Sequence, residues 1–255
     1  MTLAESYRIT SMALCKIDLF SAENPCRILE FRPLTKEEEE TRPWNVTERI
    51  HGICDKLVKT IANPVDAAFE VVDGKYLSYI ESYAKEYCNQ QLVKWRQYMP
   101  TETPRSVLTR RNAYGKRDDV LVSSDVAAYG MLPPNGQVLF HAGMLPWSKT
   151  VKLERPLSTS LSPCVAWLDA LRNAPKATDP ILCVYVLTVI RPTTKVFVYD
   201  HKRSNLSHEL EVLFNSGACI ENQCIVGDIP KNIVVDYMRG LRRAFCVKVV
   251  TATIS

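Results

Sequence analysis

The sequence predicts an α+β protein, with helices first and a strand-dominated sheet unit after them. Two observations carry this. Between about residues 35 and 98, apolar residues recur at helical spacing. From residue 137 onward, short runs of Val, Ile, Leu, Phe and Tyr are separated by Pro, Gly, Asn and Asp, the pattern of strands and turns.

Taken in order, Glu37 to Glu40 with Thr41, Arg42 and Pro43 read as a solvated segment ahead of a helix start. Ile50, Ile53, Leu57, Val58 and Ile61 then form one apolar stripe. A second stripe carries Tyr76, Ile80, Tyr83, Ala84 and Tyr87 and continues through Leu92 to Trp95. Pro100 to Arg117 reads as a connecting loop, and the basic residues Arg105, Arg110, Arg111, Lys116 and Arg117 as its solvated charges. Strands are expected at Gln137–His141, Ile181–Ile190, Lys195–Tyr199, Glu211–Phe214 and Ala244–Ile254. A helix is expected at Ser162–Arg172, capped by Ser162, opened by Pro163 and apolar along Val165, Leu168 and Leu171. The change of texture divides the chain into a mainly helical region, 1–120, and a core, 121–255, as two units or one continuous domain.

Composition narrows the function. A net charge of +4, with no Lys/Arg stripe interleaved with aromatics, points away from nucleic acid as a partner. Nine cysteines contain no Cys-x-x-Cys, so no metal is implied, and reduced thiols and a cytoplasmic setting are expected. The longest apolar run, Ile181 to Ile190, is too short to span a bilayer, so no membrane partner is expected. The chain has no Gly-x-Gly-x-x-Gly, phosphate loop, Gly-x-Ser-x-Gly or His-Glu-x-x-His. That removes the Rossmann dehydrogenase, P-loop, α/β-hydrolase and zincin readings.

Three segments carry the chemistry. In Val138-Leu139-Phe140-His141-Ala142-Gly143 a polar residue ends an apolar strand, and glycine allows close backbone approach by a ligand. In Arg155-Pro156-Leu157-Ser158-Thr159-Ser160-Leu161 the hydroxyls alternate, Ser158 and Ser160 on one face and Thr159 on the other. In Ser207-His208-Glu209-Leu210-Glu211-Val212-Leu213-Phe214 two carboxylates stand two residues apart, facing the same way if the chain is extended, with His208 facing the other.

In this order the segments resemble the signature of the ADP-ribosyltransferase superfamily. Ser158-Thr159-Ser160 and Glu209-Leu210-Glu211 match the toxin- and effector-like branch. His141 stands where that branch has Arg, and is similar to the first-motif His of the diphtheria-toxin-like branch. The resemblance covers roughly residues 130 to 255. It implies two packed, mostly antiparallel sheets with an NAD cleft between them. It implies NAD as substrate, held by His141, Ala142, Gly143, Ser158, Thr159, Ser160 and Glu211, with Arg110, Arg111 and Arg155 as alternatives for the pyrophosphate. It also implies cleavage of the nicotinamide–ribose bond through an oxocarbenium-like transition state stabilised by Glu211, with Ser158 bracing that carboxylate. Glu209 would face the acceptor, arginine on a protein partner of unknown identity, and the loop from Asp200 to Ser207 would meet that partner. The alternatives on the same fold are an NAD glycohydrolase and a non-catalytic NAD-binding module.

Overall fold

The computed structural model describes residues 14–18, 27–33, 35–41, 48–55, 63–73, 91–112, 118–174, 180–199, 210–236 and 241–255. The expected helical stripe through Leu57, Val58 and Ile61, the one from Tyr76 to Tyr87, the loop Asp200–Ser207, His208 and Glu209 lie outside these residues.

Eight strands form one sheet: β3 (Val138–Ala142), β4 (Thr150–Lys152), β5 (Leu157–Ser160), β6 (Ile181–Val189), β7 (Val196–Val198), β8 (Glu211–Phe214), β9 (Cys219–Asp236) and β10 (Leu241–Ile254). Their order is β4-β9-β10-β6-β3-β5-β8-β7. Every pairing is antiparallel except β10 with β6. The resemblance implied two packed sheets. Hydrogen bonding instead joins all eight strands, but between β3 and β5 the junction is the single pair Phe140↔Ser160.

Strand alternation sorts the central residues onto two faces. Leu139, Tyr185, Leu187, Val250 and Ala252 enter one core, together with Leu14, Ile17, Leu92, Trp95, Val107, Val122 and Val126 from the first half of the chain. Phe140, Val184, Val186, Val247 and Val249 enter the other, under α6 (Pro163–Asn173) and α2 (Pro64–Val72). The first core therefore runs across residue 120. Gln137 adds to the joint by accepting from Ile17 N at 2.8 Å and donating to Ile17 O at 3.0 Å. The helix α5 (Asp119–Tyr129) itself straddles the expected boundary.

The structure differs from the sequence reading at several elements. Ile50 and Ile53 lie on β2 (Glu48–Asp55), paired with β1 (Arg27–Pro33) as Ile50↔Phe31 and Ile53↔Leu29, not on a helix. Gly52 disfavours a helix, and the β-branched isoleucines favour the strand once a partner is present. The acidic run is itself a short helix, α1 (Lys36–Thr41). Residues 91–96 form α3, in line with the stripe ending at Trp95. The expected loop 100–117 contains α4 (Arg105–Asn112), where Val107 is the one fully buried residue among the described side chains, so no apolar stripe marks it. In α5, capped by Asp118 at Leu121 N (3.0 Å), only Val122 and Val126 are buried while Val120 and Leu121 face solvent. Ser162 takes the N-cap position of α6, but its hydroxyl makes no cap bond; Ser160 Oγ accepts the Ser162 N–H instead, at 3.0 Å. Among the described residues, no helix is long and apolar enough to cross a membrane.

Candidate active site

The three chemistry-bearing segments converge on β5. Its far side pairs with β8 in the register Leu157↔Phe214, Ser158↔Leu213, Thr159↔Val212 and Ser160↔Glu211. Directly opposed residues share a face, so Ser158, Ser160 and Glu211 lie together. Ser160, not Ser158, is the cross-strand partner of Glu211; Ser158 is its diagonal neighbour. Glu211 is buried at 9% exposure in a strand that is otherwise wholly apolar, which holds its carboxylate in a low-dielectric setting.

Thr159 turns to the other face and donates from Oγ1 to Val212 O at 2.6 Å. This buried bond staples the two strands next to the Ser160–Glu211 pair. Thr159→Val is isosteric and leaves Val212 O without its side-chain donor. It should cost about 1 kcal/mol, read as a lower denaturant midpoint at unchanged m-value.

On its near side β5 faces β3. Beyond the pair Phe140↔Ser160 the strands no longer share backbone bonds, and the imidazole of His141 takes over. Its Nδ1 lies 2.8 Å from Ser158 O. A carbonyl can only accept, so Nδ1 carries the proton and the neutral ring presents Nε2 as an acceptor. Burial lowers the His141 pKa to about 4, against the smaller opposing effect of the Ser158 bond. His141 is therefore neutral at physiological pH and supplies no cation where the toxin-like signature has arginine. By alternation Phe140 shares the Ser160–Glu211 face and His141 starts from the opposite one. The described contacts join imidazole and carboxylate through β5.

Gly143 follows with φ of +139°, a conformation that side-chain-bearing residues rarely adopt. A Cβ there would stand 3.2 Å from His141 Nε2, so the glycine keeps the approach to that nitrogen open. Ala142 and Gly143 also line a pocket of about 260 Å³ with Met144, Ala170, Asn173 and Cys183. That volume suits one ring of a dinucleotide rather than a whole one, since whole ligand sites are larger. Ser158, Thr159, Ser160 and Glu211 do not line it.

The segment after Gly143 is pinned back onto the sheet by residues the sequence reading did not single out. Gly143 N donates to Cys183 O (3.1 Å), and the Cys183 thiol meets Met144 Sδ at 3.6 Å. The Tyr185 hydroxyl, its pKa raised to about 12 by burial, accepts a hydrogen bond from the backbone N–H of Leu145. Gln223 Nε2 donates to Pro146 O (3.0 Å) and Ser148 O (3.3 Å). No sequence motif marks these groups, because each acts through backbone of a remote segment.

Two expectations change at the edges of the site. Leu210 has φ of +47°, so the backbone between Glu209 and Glu211 is not extended. The shared facing of the two carboxylates, which assumed a strand, does not follow. Of the three arginines offered for the pyrophosphate, Arg110 is committed internally: it is ion-paired with Asp119 and donates from Nη2 to Pro156 O at 2.6 Å. Arg155 is 82% exposed and touches Asp119 at 3.6 Å. The Arg111 side chain lies outside the description. Among the described residues, no group of three or more His, Cys, Asp or Glu could hold a metal ion.

No family model matches the chain, and no curated protein matches its sequence. Solved structures of ADP-ribosyltransferase toxins do match along most of its length. Plx2a from Paenibacillus larvae is 15% identical over 69% of this chain and 96% of its own, at a TM-score of 0.38. The Vis toxin of Vibrio splendidus is 12% identical over 75% of this chain and 91% of its own, at 0.34. BECa of C. perfringens, solved with NADH, is 13% identical over 75% of this chain and 49% of its own, at 0.30. At overlaps this shallow the likeness carries no argument about chemistry, and the site is read from its own residues.

Proposed function

We propose that this protein cleaves the nicotinamide–ribose bond of NAD and transfers ADP-ribose to a protein side chain, with arginine as the favoured acceptor. One observation carries the reading. Residues from three distant segments, each matching part of one catalytic signature, meet along a single strand: His141 bonds Ser158 O, and Glu211 pairs with Ser160.

The residues fit the substrate in kind. His141 Nε2 is an acceptor suited to a ribose hydroxyl, in an approach that Gly143 keeps open. The pocket beside Gly143 has the size and apolar lining for an aromatic ring. Glu211, buried and held in register, supplies a fixed negative charge where positive charge would develop on the sugar. Ordering that carboxylate during folding means little reorganisation is needed when the bond breaks.

The test is incubation of the protein with labelled NAD and a mixed cell lysate. Label on discrete protein bands, released by an arginine-specific ADP-ribosylhydrolase, supports the proposal with its acceptor. Nicotinamide release without labelled protein would replace it with NAD glycohydrolysis. Binding of NAD without turnover would make the site a non-catalytic module, and failure to bind NAD would overturn the reading.

A further inference from the structure

The seam between β3 and β5 is held by rungs of two kinds. The first is backbone, the pair Phe140↔Ser160. Below it β5, and Pro156 just before it, present carbonyls that β3 does not reach. Carbonyls of alternate residues leave a strand by the same edge, and the two in question, Ser158 O and Pro156 O, are both taken by side chains. His141 Nδ1 holds the first at 2.8 Å and Arg110 Nη2 the second at 2.6 Å.

Arg110 is built for a fixed position. Its side chain is 10% exposed, and its Nη1 is ion-paired with Asp119 at the start of α5. Arg155, beside Pro156, meets the second oxygen of the same carboxylate from the solvent side. A buried planar guanidinium with one terminal nitrogen on a carboxylate and the other on a carbonyl has little freedom left. Arg110 sits on α4, so the helical part of the chain reaches the entry of β5 through this contact.

We propose that Arg110 is a positioning residue for the site: it holds the entry of β5 where Ser158 O can receive the His141 Nδ1 proton donor, and so keeps Nε2 available as an acceptor. The contact chain stands on its own geometry; only its consequence for NAD rests on the proposed function. Substitution should therefore alter the imidazole before it alters the fold. Among the described residues, the polar groups found against that ring are the Ser158 carbonyl and the neutral Tyr185 phenol, whose ring centroid lies 6.1 Å away.

The test is imidazole ¹⁵N NMR of the full chain, which reads tautomer and titration without NAD. In the unsubstituted protein His141 should be the Nδ1-protonated form with a midpoint near 4. In Arg110→Met the tautomers should mix and the midpoint rise toward the ordinary value of 6.5. Arg110→Lys, which keeps a donor within reach of Pro156 O, should restore most of the original behaviour. A folded Arg110→Met protein with unchanged tautomer and titration overturns the inference. If that variant does not fold, Asp119→Asn decides: a smaller shift of the same kind supports the inference, and no shift overturns it. With NAD, the KM of Arg110→Met should rise about 10-fold with kcat much less affected, the scale of losing an outer-shell partner. If the unsubstituted protein shows no NAD turnover, the proposed function fails, while the NMR result still settles the role of Arg110.

Discussion

Glu211→Gln is expected to lower nicotinamide release from NAD by roughly 10²- to 10³-fold, the loss typical when one preorganised electrostatic group is removed from a transition state. The substitution changes charge and almost nothing else. Glu211 opens β8, is 9% exposed and pairs with Ser160, and glutamine has the same length and an acceptor oxygen in the same place. A carboxylate in such surroundings costs far more to desolvate than an amide does. The variant, equal in size and shape, should therefore remain folded under the assay conditions. The combination of lost activity with retained stability is the informative result. It is read from product chromatography beside a thermal melt. KM should change little, because the charge matters most when the sugar becomes positive. An unchanged rate would remove Glu211 from the chemistry.

Acid should expose His141 by a different route. Its pKa is lowered from 6.5 to about 4 in the folded protein by burial. Between those values the unfolded chain binds a proton that the folded protein refuses, so stability rises with pH across this window and falls as the solution is acidified through it. The shift corresponds to about 3 kcal/mol lost by pH 4, with no further loss from this group at lower pH. Denaturant midpoints measured from pH 7 to pH 4 in His141→Gln should lack this component. Equal acid sensitivity in the two proteins would place the burden on other groups. The Tyr185 phenol, raised to about 12, stays neutral throughout and does not confuse the comparison.

How much of this was legible in the sequence depends on where each element draws its stability. The strand at Glu211 to Phe214 and the run from Ile181 were readable because both are buried on two faces and so are apolar at all but one position each. The strand β9 was not foreseen: it carries Gly227 and Pro230, and from 221 to 232 its side chains are half-buried or exposed. Beyond Glu221 its one strand neighbour among the described residues is β10, and an edge tolerates proline that a central strand would not. Helices α4 and α5 escaped because each buries only one or two apolar residues. At the site, Ser158, Thr159, Ser160 and Glu211 were visible as chemistry, but not their register, which makes Ser160 the partner of Glu211. Arg110 looked like one charge in a solvated loop. Its burial depends on Asp119 and Pro156, which pattern alone does not bring near it.

The place of β10 in the sheet has a consequence for how the protein is made. This strand, the last described in the chain, lies between β9 and β6, and its parallel pairing with β6 runs from Cys246↔Ile181 to Ile254↔Val189. A ribosome delivers β6 some sixty residues before its central neighbour. During that interval Ile181–Val189, apolar at nearly every position, has one open edge and only β3 beside it. Nascent chains with such an edge are prone to pair with one another or to occupy chaperones. Slowing translation between residues 190 and 240 should lengthen that exposure and lower the soluble yield, even though every residue of the finished protein is unchanged.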